Sequence, residues 1–193
     1  MSDASRFPRL VALACHDLRT PLATVFGFAR TLSKIELAEP GARYVAMIEA
    51  ASAQMSDLLD ELTLVARIEE GRYEPVFVLL DSLELARAAA AEVDVDPASV
   101  TGDGATVRVD EVPARRAVAQ LVRAARRHGG LDSVEVAVDG PTVTIGPLTE
   151  YSAPVLLGEE LRELQAAAAV LLVVALGGAV ERADDRLLVR LPQ

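Results

Sequence analysis

His16, Asp17 and Thr20 are close enough along the chain to act on one phosphoryl group. A neutral imidazole nitrogen is a nucleophile, and histidine keeps a large neutral fraction near pH 7. The adjoining carboxylate of Asp17 can orient the ring and take its proton. On a helix, residues four apart share a face, so the Thr20 hydroxyl can place a water on a group carried by His16. An ordinary exposed histidine on a helix flank would have the same spacing. Other chemistries are excluded by composition. The single cysteine, Cys15, permits no internal disulfide and no cysteine-based zinc cage. The only other histidine is His128, which argues against a multi-histidine metal site.

A helix must carry these residues, and the pattern of apolar side chains predicts one. Val11, Ala14, Leu18, Pro21, Val25, Phe28, Leu32 and Ile35 recur in steps of three and four, the period of a bundle-forming helix. Pro21 removes one helical hydrogen bond just after the site. The pattern breaks at Glu39-Pro40-Gly41 and resumes at Val45, Ile48, Ser52, Met55, Leu59, Leu62 and Ala66, with Gly71 as the stop. Two helices cannot enclose a core, so the expected closure is a homodimeric four-helix bundle. His16 falls between seam positions, which puts it on the outer flank of that bundle.

The rest of the chain mixes periods. Val76–Leu80 reads as a strand, and Asp81–Val93 as a helix capped by Asp81 or Ser82. Asp94–Gly104 reads as loop and Thr106–Val109 as a short strand. Pro113–His128 reads as a helix ended by Gly129-Gly130. Ser133–Val138 and Thr142–Ile145 form a hairpin around Asp139-Gly140-Pro141. Glu159–Leu176 is a helix, and Ala179–Glu181 with Arg186–Leu191 a closing hairpin. The expected fold class is α+β: a helical hairpin over residues 1–73, then an α/β sandwich over residues 74–193.

The 193 residues are 51% hydrophobic and 25% charged, enough to bury a core. The net charge of −10 comes mostly from the second part and repels nucleic acid and anionic lipid. The arginines at 115, 116, 123, 126 and 127 read as a solvated helix face. The start, MSDASRF, lacks a basic-then-apolar signal pattern. The longest apolar run, Ala166–Gly178, is too short to span a bilayer. A cytoplasmic protein with neither nucleic-acid nor membrane partner is expected.

The segment His16-Asp17-Leu18-Arg19-Thr20-Pro21-Leu22 resembles the H-box of sensor histidine kinases, in their dimerisation and histidine-phosphotransfer domain. The resemblance implies that His16 is the phosphoacceptor, Asp17 its base and orienter, and Thr20 an aid to phosphatase activity. It weakens after residue 75 but continues in the order of elements, which is similar to that family's ATP-binding domain. Three devices of that domain look eroded. In Gln120–His128, which resembles the metal-holding asparagine helix, Gln120 and Ala124 replace asparagines, and alanine has no oxygen for a metal. Val143–Leu148 resembles the adenine turn without its aspartate; Asp139-Gly140 is better explained as a hairpin turn. Glu163-Leu164-Gln165-Ala166 falls where phosphate-cradling glycines would lie, and Glu163 brings a negative charge there.

The chain thus looks like a ChpT-type histidine phosphotransferase or pseudo-histidine kinase with a degenerate ATP-binding domain. The resemblance implies phosphate carried on His16 between response-regulator receiver domains, with a hybrid histidine kinase as a candidate partner. It implies no cofactor, with both ATP and Mg²⁺ binding lost. Arg19 and Thr24 are candidates for contacting the receiver, Arg19 being as well suited to an ion pair within the bundle. An active or regulatory sensor kinase core with an atypical pocket, a receiver phosphatase and a scaffold are the alternatives.

Overall fold

A computed structural model describes residues 6–193. Residues 1–5, which include most of the stretch read above for a signal pattern and the start of the expected 1–73 domain, lie outside the described residues. The chain divides into two units, Met1–Arg72 and Tyr73–Gln193.

The first unit is a hairpin of α1 (Arg6–Leu32) and α2 (Gly41–Glu69). Gly71, at φ +65°, follows the end of α2, where a left-handed residue stops a helix most cheaply. Helix α1 runs unbroken past Pro21. Proline has no N–H, so the Asp17 carbonyl one turn back lacks its helical donor.

The α1 seam expected from the sequence needs correction. Leu18, Val25, Phe28, Leu32 and Ile35 are exposed, with Phe28 as high as 68%. The row that meets α2 lies beside it: Cys15 and Ala29 buried, Arg19, Leu22 and Phe26 half-buried. On α2 the expected row splits in two. Val45, Ser52, Leu59 and Ala66, seven apart, are buried, whereas Ile48 and Met55 are exposed. Each helix therefore carries two apolar stripes, one spent on the hairpin and one left outward.

The second unit contains β1 (Phe77–Asp81), α3 (Ser82–Ala91), β2 (Thr101–Gly104), β3 (Thr106–Asp110) and α4 (Glu111–Gly129). It continues with β4 (Glu135–Gly140), β5 (Thr142–Gly146), α5 (Ala153–Leu156), α6 (Leu164–Ala175), β6 (Ala179–Ala183) and β7 (Arg186–Arg190). Strands β1 and β3 pair antiparallel as a small sheet. The main sheet has the order β2-β4-β5-β7-β6, antiparallel except for β2 on β4. Alternate residues of its central strands, such as Val136, Val138, Val143, Ile145, Leu187 and Val189, are buried, which is the period-two signature of a sheet covered by helices. Helix α4 contributes Ala117, Val118, Leu121 and Val122 to this core, and α6 contributes Ala166, Ala169, Leu172 and Val173.

Local chemistry sets the boundaries. The Asp81 carboxylate caps α3 by accepting from the Leu83 and Glu84 amides at 2.8 and 3.1 Å. Gly130 closes α4 in the left-handed region at φ +61°. Three expectations are corrected. Thr101–Gly104, expected as loop, is strand β2; it lacks apolar alternation because it is an exposed edge. Only glycine fits at position 102, where a Cβ would stand 1.9 Å from the Val138 carbonyl oxygen. The helix expected over Glu159–Leu176 begins at Leu164, and the single-turn α5 before it was not anticipated.

Candidate functional site

His16 projects from α1 into solvent, its side chain 78% exposed, with Asp17 at 69%. The Asp17 Oδ1 lies 3.2 Å from Nδ1 of the ring. A carboxylate only accepts, so this contact places the proton of a neutral ring on Nδ1 and leaves the lone pair on Nε2. Thr20 is exposed one turn further along. The Thr24 hydroxyl donates to the Thr20 carbonyl at 3.1 Å, so it is held to its own helix.

Arg19, half-buried, points toward α2. Its Nη2 donates to Asp60 Oδ1 at 2.8 Å and to Thr63 Oγ1 at 3.0 Å, and the Thr63 hydroxyl donates in turn to the Leu59 carbonyl at 2.7 Å. Of the two roles open to Arg19, the geometry shows the ion pair within the hairpin. It fixes the rotation of α1 against α2 at the level of His16. Asp60 and Thr63 were not singled out from the sequence; their signal is that Asp60 adjoins the buried Leu59 and Thr63 lies one turn after it.

Two grooves flank the helix pair. One, of about 410 Å³, is lined by Arg19, Ala23, Phe26, Ala53, Ser56 and Asp57. Ala23 is seven residues from His16, on the same face of α1. The other, also about 410 Å³, is walled by Leu18, Pro21, Val25, Met55 and Leu58 and is almost wholly apolar. Ser52, buried between the helices, has a hydroxyl without a hydrogen-bond partner and lines the first groove.

In the second unit, the residues at the places where the resemblance would put nucleotide-binding devices make contacts within the chain. Ala124 is buried in the core, and the Gln120 side-chain oxygen accepts from Arg123 at 3.3 Å. At Gly146 a Cβ would come within 2.5 Å of the Arg186 side chain, so that glycine serves the approach of β7. Asp139 pairs with Thr142 at the end of the β4–β5 hairpin, and the chain turns at Gly140-Pro141, with Gly140 at φ +55° and its carbonyl held by the Ser82 hydroxyl at 2.6 Å. Glu163 immediately precedes α6, and its two oxygens meet His128 Nε2 at 2.7 Å and Arg127 Nη1 at 3.3 Å. Among the described residues no group of three or more His, Cys, Asp or Glu could hold a metal ion. The α4 arginines are largely tied internally: Arg115 to Glu92 and Glu111, Arg123 to the Glu92 carbonyl, and Arg126 to the Val93 carbonyl. Among the described residues no helix is long and apolar enough to cross a membrane.

The chain is similar to known proteins over both parts. Residues 9–71 match the His Kinase A (phospho-acceptor) domain. The sensor protein DivL of Caulobacter vibrioides is 32% identical over 73 residues, covering 37% of this chain and 10% of that protein. A sensor-like histidine kinase of Rhizobium meliloti is 28% identical over 151 residues, covering 68% of this chain and 28% of its own. The chain thus spans only a minor part of these curated relatives. Among solved structures, full-length ShkA in complex with AMPPNP aligns with a TM-score of 0.68 at 22% identity, over 94% of this chain and 44% of that one. The Acinetobacter baumannii histidine kinase AdeS aligns at 0.58 and 14% identity, over 92% and 97%. The chain is histidine kinase-like: a hairpin similar in sequence to phospho-acceptor domains, followed by a unit that shares the kinase fold.

Proposed function

We propose that the chain is a histidine phosphotransfer protein that carries phosphate on His16 between response-regulator receiver domains, without using ATP. The observation that carries this reading is the solvent-facing His16 ring, with Nδ1 held at Asp17 and Nε2 left for attack. In the first step Nε2 attacks the phosphorus of a receiver's aspartyl phosphate. The new N–P bond forms as the P–O bond to the carboxylate breaks, and the receiver's aspartate leaves as a carboxylate. The ring becomes cationic, and the Asp17 carboxylate stabilises that charge at Nδ1. A second receiver's aspartate then attacks the same phosphorus, and neutral His16 is the leaving group. Both donor and acceptor are activated or restored without a nucleotide, so the work of the protein is positioning.

In the second unit, the contacts made within the chain where nucleotide-binding devices would stand support transfer without ATP. Two hairpins pairing through Leu18, Val25, Phe28, Ile48 and Met55 would complete a four-helix bundle and leave both His16 rings on outer flanks. The groove at Arg19, Ala23 and Phe26 opens beside His16 and offers a receiver the apolar surface it needs next to its phosphate. Thr20 would position water for phosphate release, and Thr24 would lie under the docked receiver. A second reading, an ATP-using kinase core, is favoured by the fold similarity to ShkA, solved in complex with AMPPNP.

The test is to incubate the full chain with a labelled phospho-receiver domain and, separately, with labelled ATP and Mg²⁺. Acid-labile phosphate should reach the chain from the receiver and not from ATP. His16→Ala should accept none while still binding the receiver in calorimetry. Label from ATP would establish the kinase reading. Label from neither source would leave a scaffold. Loss of phosphate release in Thr20→Ala, with His16→Ala still active, would mark a phosphatase.

A further inference from the structure

Ser52 is the one polar side chain in the buried row of α2 formed with Val45, Leu59 and Ala66. It is 2% exposed, and its hydroxyl has no hydrogen-bond partner. Buried polar groups in folded proteins are nearly always bonded, because an unmet one costs stability. Three threonines of the same hairpin show the usual remedy. Thr24, Thr31 and Thr63 each donate to the carbonyl four residues back, at 3.1, 2.8 and 2.7 Å. Ser52 makes no such bond to Ile48. Its surroundings give a reason to hold the hydroxyl in reserve. Ser52 lines the groove of about 410 Å³ that Arg19, Leu22, Ala23 and Phe26 wall from the side of α1. At the rim, Asp57 is exposed and makes no ion pair among the described residues, whereas Asp60 is held by Arg19.

The groove is continuous with the proposed site of transfer. It starts at Arg19, one turn past His16, and ends at Phe26, about 15 Å along the helix from His16 at 1.5 Å per residue. A globular domain of about 100 residues has a radius of gyration of about 13 Å, so a receiver seated on His16 covers that length. We infer that Ser52 is a specificity-determining residue for the receiver. Its hydroxyl bonds an uncharged polar side chain that the receiver inserts between α1 and α2, while Asp57 meets a basic residue beside it. This rests on the reading above that a receiver docks over His16, and it adds the chemistry by which one receiver is chosen over another. A serine hydroxyl swings about a single bond, so it can turn to a group that enters the groove. A wholly apolar side chain would fill the same space and leave the hydroxyl unmet, which penalises the wrong partner. Before docking, the unmet bond is a small loss of stability in the hairpin, kept for recognition.

The experiment phosphorylates His16 of the full chain with potassium phosphoramidate, which needs no partner protein, and offers it to isolated receiver domains. The receiver that takes up phosphate fastest is titrated by calorimetry into wild type, Ser52→Ala and Asp57→Asn. Ser52→Ala should melt no lower than wild type, because no bond is lost, and should bind the receiver about tenfold more weakly. At saturating receiver its phosphate should leave His16 at the wild-type rate, since Ser52 touches no reacting atom. Asp57→Asn should bind about threefold more weakly at low salt and like wild type in about 0.5 M potassium chloride, where surface charges are screened. The inference is overturned if Ser52→Ala melts well below wild type, which would make the hydroxyl a structural bond. It is equally overturned if Ser52→Ala binds the receiver as wild type does, or if Asp57→Asn does so at low salt. None of these results touches the transfer reading, which the phosphate itself tests. If no receiver takes phosphate from His16, that reading falls, and calorimetry with the same receivers still decides the groove. Binding that weakens in Ser52→Ala upholds it; equal binding, or none, overturns it.

Discussion

The two units place their apolar side chains differently. The second unit closes its sheet and helices around one core, in which Leu121, Ile145, Leu156 and Leu187 are fully buried, and exposes apolar groups such as Leu79 and Leu161 outside it. The hairpin buries a row of small and short residues, among them Cys15, Ala29, Ser52 and Ala66, and leaves Leu18, Phe28, Ile35 and Met55 in solvent. Larger apolar groups thus face out from the hairpin, where contiguous exposure marks an interaction surface. The chemistry follows the same divide. The proposed phosphoacceptor, His16, stands on the unit with the exposed apolar stripe, whereas in the other unit many polar groups pair with one another.

Substitutions of matched kind sharpen this contrast. The largest effect is expected from Leu121→Ala, which opens a cavity in the closed core and should cost about 2–5 kcal/mol in denaturant unfolding of the second unit. A cost below about 1 kcal/mol would mean that this core is looser than its burial implies. Phe28→Asp probes the opposite surface. It should leave the helix content seen by circular dichroism unchanged but halve the mass seen by light scattering, because a charge placed in a bundle interface has no partner. A wild type already monomeric at micromolar concentration would remove the bundle from the account. The smallest effect is expected from Arg19→Ala. The Arg19–Asp60 pair is half exposed, so its loss should cost at most about 1 kcal/mol. A slower phosphoryl transfer with the same stability would show that the pair serves to hold His16 in rotation.

The hairpin and the order of the later elements were legible in the sequence because their punctuation is strong. Pro40 and Gly71 bracket α2, although α1 already stops at Leu32, and Asp81 and Gly130 mark the start of α3 and the end of α4 by their own conformational chemistry. What a single chain could not reveal is which apolar stripe of α1 faces its own partner helix. Two stripes with the same three-four spacing lie side by side, and the richer one, ending in Phe28 and Leu32, points away. Strand β2 was hidden for another reason: Thr101-Gly102-Asp103-Gly104 carries no apolar alternation and owes its state to pairing with β4. At the site, His16, Asp17 and Thr20 were visible because they are local. The partners of Arg19 lie 41 and 44 residues away, and those of Glu163 lie 35 and 36 residues away, so only the folded chain shows them.

Pro21 has a mechanical consequence. A helix resists bending through its ladder of hydrogen bonds, and α1 is short one rung between Asp17 and residue 21. The rod is therefore most compliant just beyond His16, and a lateral push on the remainder of α1 is absorbed there as a small change of angle. Arg19 anchors the His16 segment to α2 within the same turn. Such a push can then turn the far part of α1 while the His16 ring keeps its place on the hairpin.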